Sequence, residues 1–132
     1  MSLAGLVTPN IQFVAGTTWV ADFLFQTLIN GVYTPVDLTG VQEILFTVKP
    51  SWDTPDAAKT FQKTKTAGAW VVSSPTSGVA RLTIAAADTL ALPPYVNFVW
   101  DAHAKLQDSS IVVPDVFRGI LLLYPSSWQT AM

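Results

Sequence analysis

The chain has 132 residues, of which 50% are hydrophobic and only 12% charged; its formal charge is -2 and it contains no cysteine. That length suits one domain, the missing cysteines exclude disulfides, thiolate metal sites and a thiol nucleophile, and seven Lys and Arg scattered along the chain give no electrostatic footprint for nucleic acid. The most apolar run, Gly119 to Tyr124, falls far short of the ~20 residues of a membrane-spanning helix, and Met1 to Val7 lacks a basic n-region before Pro9, so no signal peptide and no export are expected. Charge is about half the ~25% of a typical soluble domain, and mean hydropathy is +0.39. Such a surface should carry apolar patches that other subunits cover.

Alternation with period two dominates the chain. From Thr18 to Thr27, Trp19, Ala21, Phe23 and Phe25 share one parity and are read as the inward face. Asn30-Gly31 is a strong two-residue hairpin signal. Asp37-Leu38-Thr39-Gly40 is a turn in which Asp37 accepts from backbone N–H groups just ahead. Val41 to Lys49 forms the next strand, with Ile44, Phe46 and Val48 on one face. Pro50 to Pro55 is a loop holding Trp52 and Asp53, and Ala57 to Lys65 places Lys59, Phe61, Lys63 and Lys65 on one parity, the pattern of an edge strand guarded by lysines. Ala69 to Val72 is short and β-prone, and Ser73 to Gly78 is a turn.

Val79 to Ile84 sets Ala80, Leu82 and Ile84 against Val79, Arg81 and Thr83. Ala85 to Leu92 is the one helical segment, about two turns, ended by Pro93-Pro94. Tyr95 to Leu106 is a long strand with Val96, Phe98, Trp100, Ala102 and Ala104 inward and Asn97, Asp101, His103 and Lys105 outward. Phe117 to Tyr124 closes the set. About seven or eight strands at this spacing predict an all-β, antiparallel, two-sheet β-sandwich of immunoglobulin-like type with one short helical turn. The domain spans 11–124, between an N-terminal arm, 1–10, and a C-terminal tail, 125–132.

Several pieces in order carry a resemblance: Phe13-Val14-Ala15-Gly16-Thr17-Thr18-Trp19, Pro35-Val36-Asp37-Leu38-Thr39-Gly40, Ser77-Gly78-Val79-Ala80-Arg81-Leu82-Thr83-Ile84, Ala87-Asp88-Thr89, Tyr95, and Phe98-Val99-Trp100-Asp101, before a closing strand at Arg118-Gly119. From about Gln12 to Tyr124 this order resembles small tailed-bacteriophage virion proteins, in particular the N-terminal β-sandwich module of baseplate upper proteins. The chain departs from that pattern at Thr17, where an aspartate is usual, at Trp100, where a tyrosine is usual, and in a longer Pro50 to Pro55 loop. The resemblance implies a building block of a phage particle, located in the virion, with no catalytic residues and no cofactor to carry over.

His103 and Asp101 share a strand face as an oriented imidazole would require, yet no serine, cysteine or second histidine has a reason to join them, and a surface polar pair is the expectation. Asp53 with Asp56, and Asp108 with Asp115, lack the ligand density that calcium needs and read as turn aspartates. Trp52, Trp70 and Trp128 stand off the inward faces and are interface candidates, Trp being enriched at interfaces; stacking on a host-surface glycan is the rival use. Leu121 and Leu123 are interface candidates because Gly119 to Tyr124 is apolar on both parities: Ile120 and Leu122 are read as inward, leaving Leu121 and Leu123 to be covered by the helical turn at Ala86 to Leu92 or by another subunit. The expected function is a non-enzymatic virion structural protein whose partners are itself or other virion proteins, in the tail, baseplate or fibre-attachment region. A capsid decoration protein and a carbohydrate-binding module are the alternatives.

Overall fold

The computed structural model describes residues 10–55, 59–92, 97–114 and 117–124. They form eleven strands and one short helix: β1 (Asn10–Val14), β2 (Trp19–Leu24), β3 (Gln26–Ile29), β4 (Val32–Pro35), β5 (Glu43–Lys49), β6 (Phe61–Thr64), β7 (Trp70–Ser74), β8 (Val79–Ile84), α1 (Ala86–Leu90), β9 (Asn97–Lys105), β10 (Ile111–Val112) and β11 (Arg118–Tyr124). The large sheet has the order β1-β11-β9-β5-β6, with β10 also paired to β9; a three-stranded sheet runs β2-β8-β7, and β3 and β4 make a separate hairpin. All pairings are antiparallel except β1 with β11, which run parallel from Asn10 opposite Ile120 to Val14 opposite Tyr124. The expectation of a wholly antiparallel fold is corrected at that edge. Five residues with only Ile11 and Phe13 alternating gave too short a signal for β1, which starts within the segment read as an arm.

Alternation places the core where the sequence predicts it. Phe23, Phe25, Ile44, Phe46, Leu82, Ile84, Phe98 and Trp100 are all at most 3% exposed. The contacts between the sheets are aromatic. Phe46 of β5 lies 6.3 Å from Phe23 of β2, 5.6 Å from Trp100 of β9 and 6.4 Å from Trp19 (ring centroids). Phe23 in turn meets Trp70 of β7 at 4.9 Å. Tilted and offset rings at these separations add to the area they bury.

The phase of β11 is the reverse of the expected one. Leu121 pairs with Phe98 and Gly119 with Trp100 on β9. Cross-strand partners share a face, and Phe98 and Trp100 point inward, so Leu121 and Leu123 enter the core while Ile120 is 45% exposed. A run that is apolar at every position has no periodicity to fix its phase. Only the register does so.

Turn chemistry fixes the connections. Asn30 and Gly31 both have positive φ, 50° and 78°, the type I′ turn expected of a two-residue hairpin, and the Thr39 N–H donates to Asp37 Oδ1 at 2.9 Å. Thr89, fully buried on α1, accepts from the Gly16 N–H at 3.1 Å and donates to the Thr17 carbonyl at 2.8 Å, which ties the helix to the β1–β2 turn. Gly78 has φ 73°, and a Cβ there would stand 2.4 Å from the Phe25 carbonyl oxygen and 2.9 Å from that of Val36. The Phe25 N–H donates to the Gly78 carbonyl at 2.7 Å, so this close approach seats the chain just before the β3–β4 hairpin.

Two outcomes follow for stability. Phe46→Ala should cost about 3–5 kcal/mol and Gly78→Ala about 2–4 kcal/mol, through left-handed backbone and contact with two carbonyls. Urea unfolding monitored by tryptophan fluorescence measures both. A Gly78→Ala loss below 1 kcal/mol would mean that the turn is free to move.

Candidate binding surface

Along one edge of β9 the pairing is interrupted, and a groove results. Ile111 and Val112 pair with Lys105 and Ala104, and Arg118 pairs with Asp101. Positions 102 and 103 of β9 lie between these two registers and belong to neither. Pairing resumes as the Ala102 N–H donates to the Phe117 carbonyl at 2.8 Å. The groove of about 440 Å³ beside this irregularity is lined by Ile111, Val113, Phe117 and Arg118 on one side and by Ala102, Asp101 and His103 of β9, with Trp52 completing it.

Trp52 is delivered by the β5–β6 loop. Pro50 ends the ladder of β5, and a tight turn follows in which the Thr54 N–H donates to the Ser51 carbonyl at 3.2 Å and the Ser51 and Thr54 hydroxyls bond at 3.1 Å. The indole is held by a cation: the Arg118 guanidinium carbon lies 4.3 Å from its ring centroid, close enough for a cation–π contact. Trp52 is still 46% exposed, so much of the indole remains free for a second contact.

The β3–β4 hairpin is a second surface of different character. Leu28, Ile29, Val32 and Tyr33 are between 54% and 65% exposed. Leu28 pairs with Tyr33 and Ile29 with Val32, so one apolar pair shows on each face. No charged residue occurs from Phe23 to Val36. A bridge between Phe25 and Pro114 joins the base of this hairpin to the segment that walls the groove.

The five interface candidates separate in the structure. Trp52 is exposed at the groove. Trp70 is not on the surface: it is 3% exposed, packs on Phe23, and its indole N–H donates to the Lys63 carbonyl at 3.3 Å. It sits opposite Leu82, and that pairing carries it inward. Leu121 and Leu123 are filled against the core of this same chain, so no second subunit is needed to cover them; the outward apolar residues of β11 are Ile120 and, partly buried, Leu122. Trp128, with the segments 1–9 and 125–132, lies outside the described residues, as do Asp56 and Asp115. Arg118, Phe117, Ile111 and Val113 were missed because none belongs to a pattern of its own. The hairpin was legible in principle, as an uncharged stretch of sequence around Asn30-Gly31.

The remaining candidates fall into place by their partners. Asp101 and His103 face the groove together, as their shared parity implies. β6 is an edge strand, but Lys63 is no free guard: its Nζ lies 2.6 Å from Asp88 Oδ2. Asp108 Oδ1 accepts from the Ser110 N–H and hydroxyl at 3.0 and 2.6 Å, which holds its carboxyl below the usual value. Among the described residues no three His, Cys, Asp or Glu side chains stand together as a metal site, and no helix there is long and apolar enough to cross a membrane.

Glu43 has the fullest set of donors. Partial burial pushes its carboxyl up, but hydrogen bonds from the Thr66 hydroxyl, Thr66 N–H and Ile44 N–H outweigh this and hold it below its ordinary value. No protein-family model matches the chain, and no curated protein matches it.

The lowered carboxyls give a pH dependence with a definite sign. Each of Glu43, Asp37 and Asp108 releases its proton more readily when folded, so the stability each adds is complete above its unfolded value, about 4. It is lost as pH falls through the lower folded value. Thermal melts from neutral pH to about pH 2.5 should show Tm falling through the acid range. Glu43→Gln should lower stability at neutral pH by about 1–2 kcal/mol and flatten that acid slope; an unchanged slope would dismiss Glu43 as a contributor.

Proposed function

We propose that the chain is a non-enzymatic virion structural protein of a tailed phage. On this reading it is a two-sheet, immunoglobulin-like sandwich that assembles with copies of itself or with other virion proteins in the tail, baseplate or fibre-attachment region. The order of motifs from Gln12 to Tyr124 supports the phage setting. The observation that carries the assembly role is the uncharged β3–β4 hairpin, whose Leu28, Ile29, Val32 and Tyr33 stand more than half exposed. An isolated two-stranded hairpin is marginal in water. Solvent-facing strand edges are ordinarily protected by lysine, proline or bulges, and apart from Pro35 this one carries no such guard.

Magnitudes favour many weak contacts over one strong pair. Covering the exposed half of four such side chains contributes about 1–1.5 kcal/mol each, roughly 4–6 in all. Association costs about 4–15 kcal/mol. The hairpin alone does not hold a dimer, but it stabilises a subunit already docked at other points, as in a multi-subunit array. The outward Ile120 of β11 is a further apolar contact of this kind.

Leu28→Lys/Val32→Lys places one charge on each face of the hairpin without touching the core. The variant should keep its melting temperature within a few degrees and fail to incorporate into purified particles, which immunoblotting of gradient fractions would measure. Normal incorporation would remove the hairpin from the assembly surface. Absence of the wild-type chain from particles would end the virion reading.

A further inference from the structure

From the groove beside β9 we infer a binding site for a neutral saccharide, separate from the assembly hairpin. The inference does not rest on the virion reading. The ligand class follows from what the walls offer. Trp52 and Phe117, 46% and 39% exposed, present aromatic surface to the groove, and Ile111 and Val113 extend it. A pyranose ring has an apolar C–H face that packs on such a surface, while its rim of hydroxyls needs donors and acceptors. The same groove provides them: Asp101 brings carboxylate acceptors, Arg118 brings guanidinium donors, and His103 brings an imidazole able to do both.

Charge narrows the class further. Among the described lining residues one carboxylate, Asp101, and one guanidinium, Arg118, face the groove and offset each other, so an anionic or cationic ligand gains little net attraction from them. A wholly apolar ligand would cover these polar side chains without offering any of them a hydrogen bond, so it gains less here than a hydroxylated one. A polyhydroxylated, uncharged ring meets both conditions.

The platform is also held in advance. A surface tryptophan ordinarily loses rotamer freedom when a ligand stacks on it, but the Trp52 indole is already fixed by Arg118 at 4.3 Å, so less ordering remains to be done on binding. The volume, about 440 Å³, falls in the ~300–1,000 Å³ range of ligand sites. Because the groove is open, one to two sugar units would lie across it and not be enclosed. Single-site binding is therefore weak, and useful attachment to a polysaccharide would come from many copies acting together.

The test is a titration of the intact chain with cellotetraose, maltotetraose and tetra-N-acetylchitotetraose, following tryptophan emission and amide shifts in a ¹H–¹⁵N spectrum. At least one sugar should give a saturable response by about 10 mM, an affinity of roughly 3 kcal/mol or better, with shifts centred on Asp101, His103 and Arg118. Trp52→Ala should abolish the response, Trp52→Phe should keep part of it, and Asp101→Asn should weaken it about tenfold. Each should melt like the wild type, since these side chains lie outside the core. Leu28→Lys/Val32→Lys should bind sugar normally, so that failure of the assembly role and failure of this site read separately. The inference is overturned if no sugar in the panel gives a saturable response, or if the response survives Trp52→Ala. It is equally overturned if the wild-type titrations are flat and Trp52→Ala instead lowers particle incorporation, which would make the groove a protein contact.

Discussion

The contact of Phe46 with Phe23 and Trp100 is the constraint on which the rest of the structure depends. Phe46 lies on the large sheet and Phe23 on the small one, and their rings join the two layers at 6.3 Å, with Trp70 and Trp19 closing the cluster. Burying a residue of this size stabilises by about 1.5–3 kcal/mol, and each ring is shared among several neighbours. This fixes which parity of β2, β5, β8 and β9 points inward. Every outward feature, including Asp101, His103 and Ile120, is then set by elimination.

The surface features arise where regular pairing stops. β9 is long enough to pair with β10 at one end and β11 at the other, and Ile111, Val113, Phe117 and Arg118, in and beside those pairings, wall the groove. Gly78 permits a carbonyl approach that a Cβ would prevent, and from that point the chain leaves the small sheet as the β3–β4 hairpin. Both surfaces border the same short stretch, since Phe25 bridges Pro114. The proposed assembly and saccharide roles therefore occupy adjacent but chemically different areas, one an uncharged hairpin, the other a groove of mixed character.

Low charge acquires a physical meaning in this arrangement. Leu121 and Leu123, which suggested a covered second face, are core residues. Among the described residues, exposed apolar side chains stand at the hairpin, on Val71 and Leu90, and around the groove.

The sequence by itself determined the β class, the eight central core residues, the Asn30-Gly31 hairpin, the Asp37 turn, the edge position of β6 and the shared outward face of Asp101 and His103. All of these follow from local rules, alternation with period two and turn residues whose backbone preferences do not depend on distant partners. Tertiary structure alone decided the parallel pairing of β1 with β11, the phase of β11, the burial of Trp70 and the meeting of Trp52 with Arg118. An apolar run such as Gly119 to Tyr124 fits either phase equally well in isolation, because no polar residue marks an outer face. The choice between phases was made by Phe98 and Trp100 across the ladder. Trp52 and Arg118, 66 positions apart by their numbers, meet only because β5, β9 and β11 lie side by side in one sheet, a proximity that no local pattern encodes.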